Sequence, residues 1–261
     1  MMRALNTAAS GMVGQQTNLD VVANNLANVN TTGFKQQRAE FQDLMYQTIR
    51  ASGAPTGGES SNPEPAQVGL GSKVVATATT FSQGSFLNTN SPTNMAISGE
   101  GFFQVVKDGT TFYTRDGSFK LDANGLMVTN DGYPIEPQIT IAPGTTSINI
   151  SPNGVVTGKL PGAADATELG RVQVANFANP AGLTRMGQNL FQAGGASGDP
   201  VVGDPGQNGT GQIQQFVVEG SNVQLVEEMV RMITAQRAYE INSKAIQTAD
   251  DMLSQLNQLK R

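Results

Sequence analysis

Side chains that commonly perform chemistry in proteins are scarce in this sequence. Its 261 residues include neither histidine nor cysteine, which removes the commonest general base and metal ligand and every thiolate nucleophile. The glycine-rich segments GLGSK (69–73) and GEGF (99–102) lack the spacing of a phosphate-binding loop. DANG (122–125) and NDGY (130–133) lack the further acidic ligands of a calcium loop. No pair of carboxylates stands out, so the sequence predicts a protein that is not an enzyme, with no catalytic, cofactor-binding or metal residues.

Composition narrows the classes of partner. Charged residues are 14% of the chain and the net charge is −5, whereas nucleic-acid binding needs a basic surface. No polybasic cluster indicates a membrane surface, and no apolar run approaches the ~18 residues that predict a membrane span. The N-terminus also lacks an apolar run long enough for a signal-peptide core. We therefore expect no nucleic acid, no membrane insertion, and either a cytoplasmic protein or one exported without a cleaved signal.

The elements that would position any functional residues begin with an N-terminal helix. Apolar residues recur there at coiled-coil spacing and form a narrow seam. The seam positions are Leu5, Met12, Leu19, Val22, Leu26 and Val29. Gly33 is typical of a helix stop, and a second, short helix is predicted over residues 36–49.

A longer helix is predicted at the other end of the chain. Residues 221–261 contain neither Gly nor Pro, and a helix of about 35 residues would be roughly 50 Å long. Apolar residues repeat every seventh position in one row, Leu225, Met232, Tyr239, Ile246 and Leu253, and a second row, Ala235, Asn242, Ala249 and Leu256, completes a seam of small and large residues.

Between the helices the sequence predicts a β-rich body. Asp-Gly or Asn-Gly pairs are strong hairpin signals because both residues tolerate positive φ. They occur at 108–109, 116–117, 124–125, 131–132 and 153–154. The intervals carry short strand-like runs, so we expect a meander or a small barrel.

Residues 50–71, RASGAPTGGESSNPEPAQVGLG, belong to neither pattern. Their Gly, Pro and Ser content alone is typical of a flexible linker or a disordered segment. Within a folded protein, however, a loop of this length is often functional.

The uncharged surface of the N-terminal helix is the most informative feature. Arg3 and Asp20 are its only charges over 34 residues, whereas Asn24, Asn25 and Asn28 crowd its end. One interpretation is a weakly formed tail. The other, favoured by the matching C-terminal seam, is a helix enclosed by other subunits, in which amides interlock and charges would be costly to bury. Faces left uncovered would then meet copies of the chain, and a contact that does not close produces a helical tube.

Several stretches of the sequence resemble signatures of the bacterial flagellar rod and hook family. NLDVVANNLANVNTTGFK (18–35) is similar to that family's N-terminal signature, and residues 226–259 are similar to its C-terminal one. MAISGEGFFQV (95–105) and YTRDGSF (113–119) match as well. The length and the insert after FQDLMYQTIRASG most resemble the distal rod branch of the family.

The resemblance implies an α+β fold, in which the terminal helices (1–46 and 221–261) pair as a coiled-coil-like inner core around an export channel. An extended insert (47–71) and a mainly antiparallel β body (72–220) follow. It also implies a rigid helical homopolymer that spans the periplasm, transmits torque from motor to hook, and is exported uncleaved through the flagellar type III apparatus. Its partners would be proximal rod proteins and the hook protein at the ends, and the outer-membrane and peptidoglycan ring proteins around it.

Assembly residues follow from the seams and from the signature. The signature supplies Asn24, Asn25, Asn28, Gly33 and Phe34, and the seams supply Leu5, Met12, Leu19, Val22, Leu26, Val29, Leu225, Met232, Tyr239, Asn242, Ile246, Leu253 and Leu256. The resemblance further implies that the insert wedges between neighbouring subunits and straightens the tube. That role would fall on Thr48, Ile49, Pro55, Pro63 and Pro65.

Other interpretations stay open at this stage. The insert and the length argue against a proximal rod or hook-type subunit. A secreted β-rich adhesin or binding module would need an exposed aromatic platform, yet Trp is absent and aromatic residues are 6%. If assembly orders the terminal helices, we expect both to be largely disordered in the monomer and open to trypsin.

Overall fold

A computed structural model describes residues 2–52, 55–57, 60–61, 63–162, 165–207 and 209–259. The chain divides into two compact units. The first, here called the helical unit, comprises Met1–Leu26, Gln37–Ala78 and Gln224–Arg261. The second, the β unit, comprises Ala27–Gln36 and Thr79–Val223. The fold class is α+β, as predicted, because helices flank a β-rich body.

Both predicted terminal helices are confirmed. Helix α1 is Met2–Ala27 and helix α2 is Leu225–Leu259. The strands of the helical unit are β1 (Gln37–Asp43), β2 (Tyr46–Arg50), β3 (Pro55–Gly57), β4 (Ser60–Ser61), β5 (Ala66–Gly69) and β6 (Ser72–Thr79).

The prediction of a short helix over residues 36–49 is wrong, since β1 and β2 occupy that segment. β1 pairs with β6, and β2 pairs with β5. Phe41, Tyr46 and Ile49 favour strands, and pairing with a distant segment overrides the local helical spacing.

The segment that composition marked as a linker contains ordered strand pairs. β2 and β5 are antiparallel, with Tyr46 opposite Gly69 and Thr48 opposite Gln67. The Gln67 side chain donates to the Thr48 hydroxyl at 3.2 Å, and β3 pairs with β4 farther out. Gly, Pro and Ser residues themselves make up most of β3 and β4, so this part of the segment forms a strand pair instead of an unstructured loop.

Small residues line the buried face of the terminal helices. Ala8, Ala235 and Ala249 are buried, and a Cβ atom built on Gly11 would lie 2.9 Å from the Asn242 amide nitrogen. α1 and α2 therefore approach closely at Gly11, where no larger side chain fits without a shift.

The β unit holds sixteen strands among its described residues, together with a 3-10 turn at Pro180–Gly182. They are β7 (Phe86–Asn88), β8 (Met95–Ser98), β9 (Phe102–Lys107), β10 (Thr110–Thr114), β11 (Lys120–Leu121), β12 (Met127–Val128), β13 (Ile135–Glu136), β14 (Ser147–Ile150), β15 (Val155–Lys159), β16 (Thr167–Arg171), β17 (Val174–Asn176), β18 (Thr184–Gly187), β19 (Leu190–Gln192), β20 (Val201–Gly203), β21 (Gln212–Gln215) and β22 (Val217–Glu219).

A seven-stranded sheet organises this unit, with strand order β18-β19-β10-β9-β17-β20 and β13 added against β9. Every pairing in it is antiparallel. A three-stranded sheet (β14-β15-β16) and the pairs β8–β21, β7–β22 and β11–β12 complete the unit. The main core contains Met95, Phe103, Met127, Ile135 and Ile213, which are almost fully buried.

Four of the five predicted turns join neighbouring strands. The turn at 108–109 connects β9 to β10 with φ of +51° at Asp108 and +77° at Gly109. The turns at 124–125, 131–132 and 153–154 also place glycine at positive φ. The hairpin predicted at Asp116-Gly117 is wrong, because β10 and β11, the strands on either side, pair with other strands. A Cβ on Gly117 would lie 1.5 Å from the Met95 carbonyl oxygen. Gly117 serves close backbone packing there.

Candidate assembly site

Asn25, near the end of α1, is fully buried and bonded within the chain. Its Oδ1 accepts from the Gln37 backbone N–H at 2.9 Å, and its Nδ2 donates to the Gln37 carbonyl at 2.8 Å. Nδ2 also donates to Oε2 of buried Glu228 in α2 at 3.0 Å. The sequence suggested amides that interlock between subunits. For Asn25 the three partners lie in its own chain, and they join α1, β1 and α2 within the helical unit.

The other two signature asparagines lie in different surroundings. Asn24 is exposed. Asn28 is half-buried and its side-chain oxygen accepts from the Thr31 hydroxyl at 3.1 Å, while its carbonyl accepts from the Thr31 N–H. Asn28 therefore organises the turn that follows α1.

Gly33 holds a conformation that other residues rarely adopt. Its φ is +67°, and a Cβ there would lie 2.5 Å from the backbone nitrogen of Asp116. Its N–H donates to the Glu219 carbonyl at 2.7 Å. Gly33 is thus a point of close backbone approach as well as the predicted stop.

Phe34 and Lys35, which follow, are both buried. The Arg185 guanidinium lies 5.0 Å from the centre of the Phe34 ring and 5.5 Å from that of Phe191. It also donates to the Lys35 carbonyl. Stacking between two rings with a backbone hydrogen bond fixes this arginine over the segment.

The Lys35 side chain ends in a buried ionic cluster. Its Nζ lies 2.6 Å from Oε1 of Glu219, and neither side chain is exposed to solvent. Nζ also donates to the Ser82 carbonyl at 2.8 Å. Arg115 approaches the other carboxylate oxygen of Glu219 at 3.4 Å and donates to the Gly99 carbonyl at 2.7 Å.

Burial controls the electrostatics of these cations. Desolvation lowers the pKa of Lys35 from its usual value, and the nearby Arg115 charge lowers it further, while the attraction of Glu219 opposes both. Burial likewise lowers the pKa of Arg115, against the attraction of Glu219. Burial lowers the pKa of Arg185 to about 10.

The predicted seam residues differ widely in burial. Val22, Asn25, Gly33 and Phe34 are buried, whereas Asn24, Leu225 and Tyr239 are exposed. The half-buried positions are Leu5, Met12, Leu19, Leu26, Asn28, Val29, Met232, Asn242, Ile246 and Leu253. In the insert Thr48, Ile49, Pro63 and Pro65 are exposed. The side chains of Pro55 and Leu256 lie outside the described part of the chain.

α2 carries a second apolar stripe that the seam analysis missed. Val226, Met229, Val230 and Ile233 are exposed and spaced by three and four residues, so they share one helix face. Glu228 and Ala235, both buried, lie on the opposite face. The same spacing of three and four residues is visible in the sequence, beside the seven-residue repeat of the seam. We call these four residues the outer stripe.

Other structural classes of site find no support in the described residues. No helix among them combines the length and the apolar character of a membrane span. The acidic residues described form no group of three or more placed to hold a metal ion.

Comparison with known proteins defines the class. Three family descriptions match the chain: "Flagella basal body rod protein" over residues 5–35, "Flagellar hook protein FlgE/F/G D1 domain" over 96–158, and "Flagellar basal body rod FlgEFG protein C-terminal" over 214–259. The matched residues include the α1 seam, the core strands and α2. All three descriptions concern flagellar rod and hook proteins.

Full-length relatives narrow the class. The chain is 51% identical over 264 residues to the flagellar basal-body rod protein FlgG of Borreliella burgdorferi, covering 100% of both chains. It is 48% identical over 260 residues to FlgG of Buchnera aphidicola subsp. Schizaphis graminum, covering 99% of this chain and 100% of that one. The chain therefore belongs to the flagellar basal-body rod protein family.

A solved structure of the Helicobacter pylori flagellar hook protein FlgE2 also matches. It covers 70% of this chain and 43% of the other at 14% identity, with a TM-score of 0.25. That likeness is too low to support a conclusion about shared structure.

Proposed function

We propose that this structural rod subunit builds the distal rod, where it polymerises into a rigid helical tube that transmits torque from motor to hook. The support is the full-length similarity to proteins named FlgG, which covers both termini and the body. No enzyme activity is proposed, because the family is structural and no His or Cys is present.

The outer stripe is the observation that carries self-assembly. An exposed row of large apolar side chains marks an interaction surface, and Val226 and Ile233 are 73% and 54% exposed. The opposite face of α2 is already buried within the chain. The occupant we propose for the stripe is a terminal helix of a second copy, which would offer the same apolar character.

We further propose that α1 and α2 pair in a coiled-coil-like manner and form the inner core around the export channel, with the β unit facing outward. Close approach at Gly11 and the buried alanines supports this pairing. The proposed core comprises residues 1–46 and 221–261, and so includes β1 beside the helices.

The insert is proposed as the stiffening element. Its strand pair β2–β5 exposes Ile49 and Tyr46 on a narrow, hydrogen-bonded ribbon. Such a ribbon is stiffer than a linker and offers apolar contacts to a neighbouring subunit. Deleting Thr48–Gln67 should leave polymerisation intact and make the tube curved or compliant in electron micrographs. Straight, rigid tubes from this deletion would contradict the role.

The partners and the location proposed are those of a distal rod. Proximal rod proteins and the hook protein would contact its ends, and outer-membrane and peptidoglycan ring proteins would surround it. The tube would span the periplasm after export without a cleaved signal peptide. A proximal rod or hook-type subunit, and an adhesin, are less well supported because the full-length relatives above are named FlgG.

Imaging of the purified chain tests the function. The wild-type protein should form straight tubes, whereas Ile233→Asp should form none, because it buries a charge at each repeated contact. Gln247→Asp, at an exposed position of the same helix, controls for helix propensity and should still polymerise. Tubes of normal yield from Ile233→Asp would remove the outer stripe from the interface.

A further inference from the structure

Glu219 gathers donors from three separate parts of the β unit. Its Oε1 accepts from Lys35 at 2.6 Å and from the Gly84 backbone N–H at 2.9 Å. Its Oε2 accepts from Arg115 at 3.4 Å. The carboxylate is fully buried and lies close to two buried cations, while Glu100 adds a weaker attraction at Arg115.

The same region of chain also holds the backbone around Lys35. We call residues 27–36 the strap, because they link α1 to β1 and belong to the β unit. The Gly33 N–H donates to the Glu219 carbonyl at 2.7 Å, and the Gln36 N–H donates to the Asn222 side chain at 2.7 Å. The Asn222 side chain also donates to the Thr80 carbonyl at 2.9 Å. The last four residues of the strap, 33–36, are therefore bound to residues 219–222.

These contacts join parts of the chain that are far apart in sequence. Lys35 and Glu219 are 184 residues apart, and Gln36 and Asn222 are 186 apart. The strap begins where α1 ends, and Glu219 lies six residues before the start of α2 at Leu225. Within the β unit, then, the segment that receives α1 and the segment that leads to α2 lie side by side.

A fully buried ion cluster is a weak source of stability, since desolvation offsets much of the attraction. A well-packed apolar contact would hold the strap as strongly but would permit sliding. Because the Lys35 amine must reach one carboxylate and one carbonyl, its contacts are satisfied in only one position of the strap. The cluster is therefore suited to fix the position of the strap on the β unit.

We infer that Glu219 is a positioning residue that locks the strap on the β unit through Lys35 and Arg115, and so holds the segment that follows α1 beside the segment that leads to α2. The consequence for assembly rests on the proposed function, because these two segments are continuous with the terminal helices that we propose to polymerise. The locking itself does not depend on polymerisation.

Hydrogen exchange of the monomer, followed by mass spectrometry, tests the lock. In Glu219→Gln two buried cations lose their anion, and amide exchange in strap peptides should rise at least about tenfold while β9 and β10 stay protected. Lys35→Met leaves the Glu219–Arg115 pair intact and should give a smaller rise, also confined to the strap. Glu168→Gln, which breaks an exposed pair with Arg171 in the same unit, should change nothing.

Three results would overturn the inference. They are unchanged strap exchange in both cluster variants, faster exchange throughout the β unit in Lys35→Met, and an equal response from Glu168→Gln. If Glu219→Gln fails to fold, Lys35→Met still decides the question. A polymerisation assay on the same samples separates the two proposals. A wild-type chain that forms no tubes would contradict the proposed function, whereas loosened straps with normal tubes would contradict only the link to assembly.

Discussion

The two units differ in how fully their own residues bury apolar side chains and pair ionic groups. In the β unit, β9 buries its first four residues, and ionic groups such as Lys35 and Glu219 find partners inside. In the helical unit, every residue of β2 is exposed and α2 displays the outer stripe. A folded chain rarely leaves so many large apolar side chains in water without a partner. The β unit thus pairs its buried ionic groups internally, whereas the helical unit keeps an apolar stripe that we propose is covered by a second copy.

Among the changes that we predict, breaking the Glu219 cluster should cause the largest loss of stability. Removing one partner from a buried ion pair costs about 3–5 kcal/mol, because the remaining charges stay desolvated. Glu219→Gln should lower the free energy of local opening of the strap by that amount, measured from the hydrogen exchange of strap amides. Glu168→Gln, in an exposed pair, should have a much smaller effect. Equal losses from the two variants would refute the special status of the cluster.

Substitution of Gly33 tests whether the close approach of the strap to the Asp116 backbone contributes to stability. Gly33→Ala meets both an unfavourable φ of +67° and the backbone of Asp116 at 2.5 Å, so we expect a loss of about 2–4 kcal/mol. Gly109→Ala is the matched control, because its φ is +77° but nothing lies within 4 Å of the added Cβ. That control should lose about 1 kcal/mol. Similar unfolding free energies for the two variants would show that the strap yields easily.

The sequence predicts the helices and most of the turns correctly but not the first two strands of the helical unit, and the difference has a physical reason. The helices followed from the seven-residue spacing of Leu225 and its successors, and four turns followed from glycine's tolerance of positive φ. The strands at Phe41 and Tyr46 did not, because pairing with β6 and β5 outweighs local spacing.

The ionic cluster was out of reach of the sequence. Nothing near Lys35 signals that its partner lies 184 residues away at Glu219. The partners of Asn25 were hidden for the same reason, since Glu228 is 203 residues distant. Local patterns predict elements, whereas the pairing of single polar side chains depends on the completed fold.

Asn25 offers the corresponding test in the helical unit. Asn25→Ala removes three hydrogen bonds and leaves the Gln37 backbone groups without the amide, which should cost about 1–3 kcal/mol. We expect the loss in hydrogen-exchange protection of α1 and β1, with β9 and β10 unchanged. Gln16→Ala, at an exposed position of the same helix, should alter neither. A loss of protection that spreads into the β unit would mean that the two units do not respond independently.

The smallest expected effect is a pH dependence confined to the cluster. Lys35 is faced by Glu219 and by the positive Arg115, and Arg185 binds its carbonyl. Because the folded pKa of Lys35 is lowered from 10.5, folding favours the neutral amine, and the penalty for a charged Lys35 fades as pH rises toward that unfolded value. Removing Glu219 takes away the attraction that raises this pKa, so the lowered value falls further and the window opens at lower pH. Raising the pH toward 10.5 should therefore recover part of the stability that Glu219→Gln loses relative to wild type. The double variant Lys35→Met/Glu219→Gln has no amine to titrate and should recover none. Recovery of equal size in the double variant would assign the pH dependence to another group.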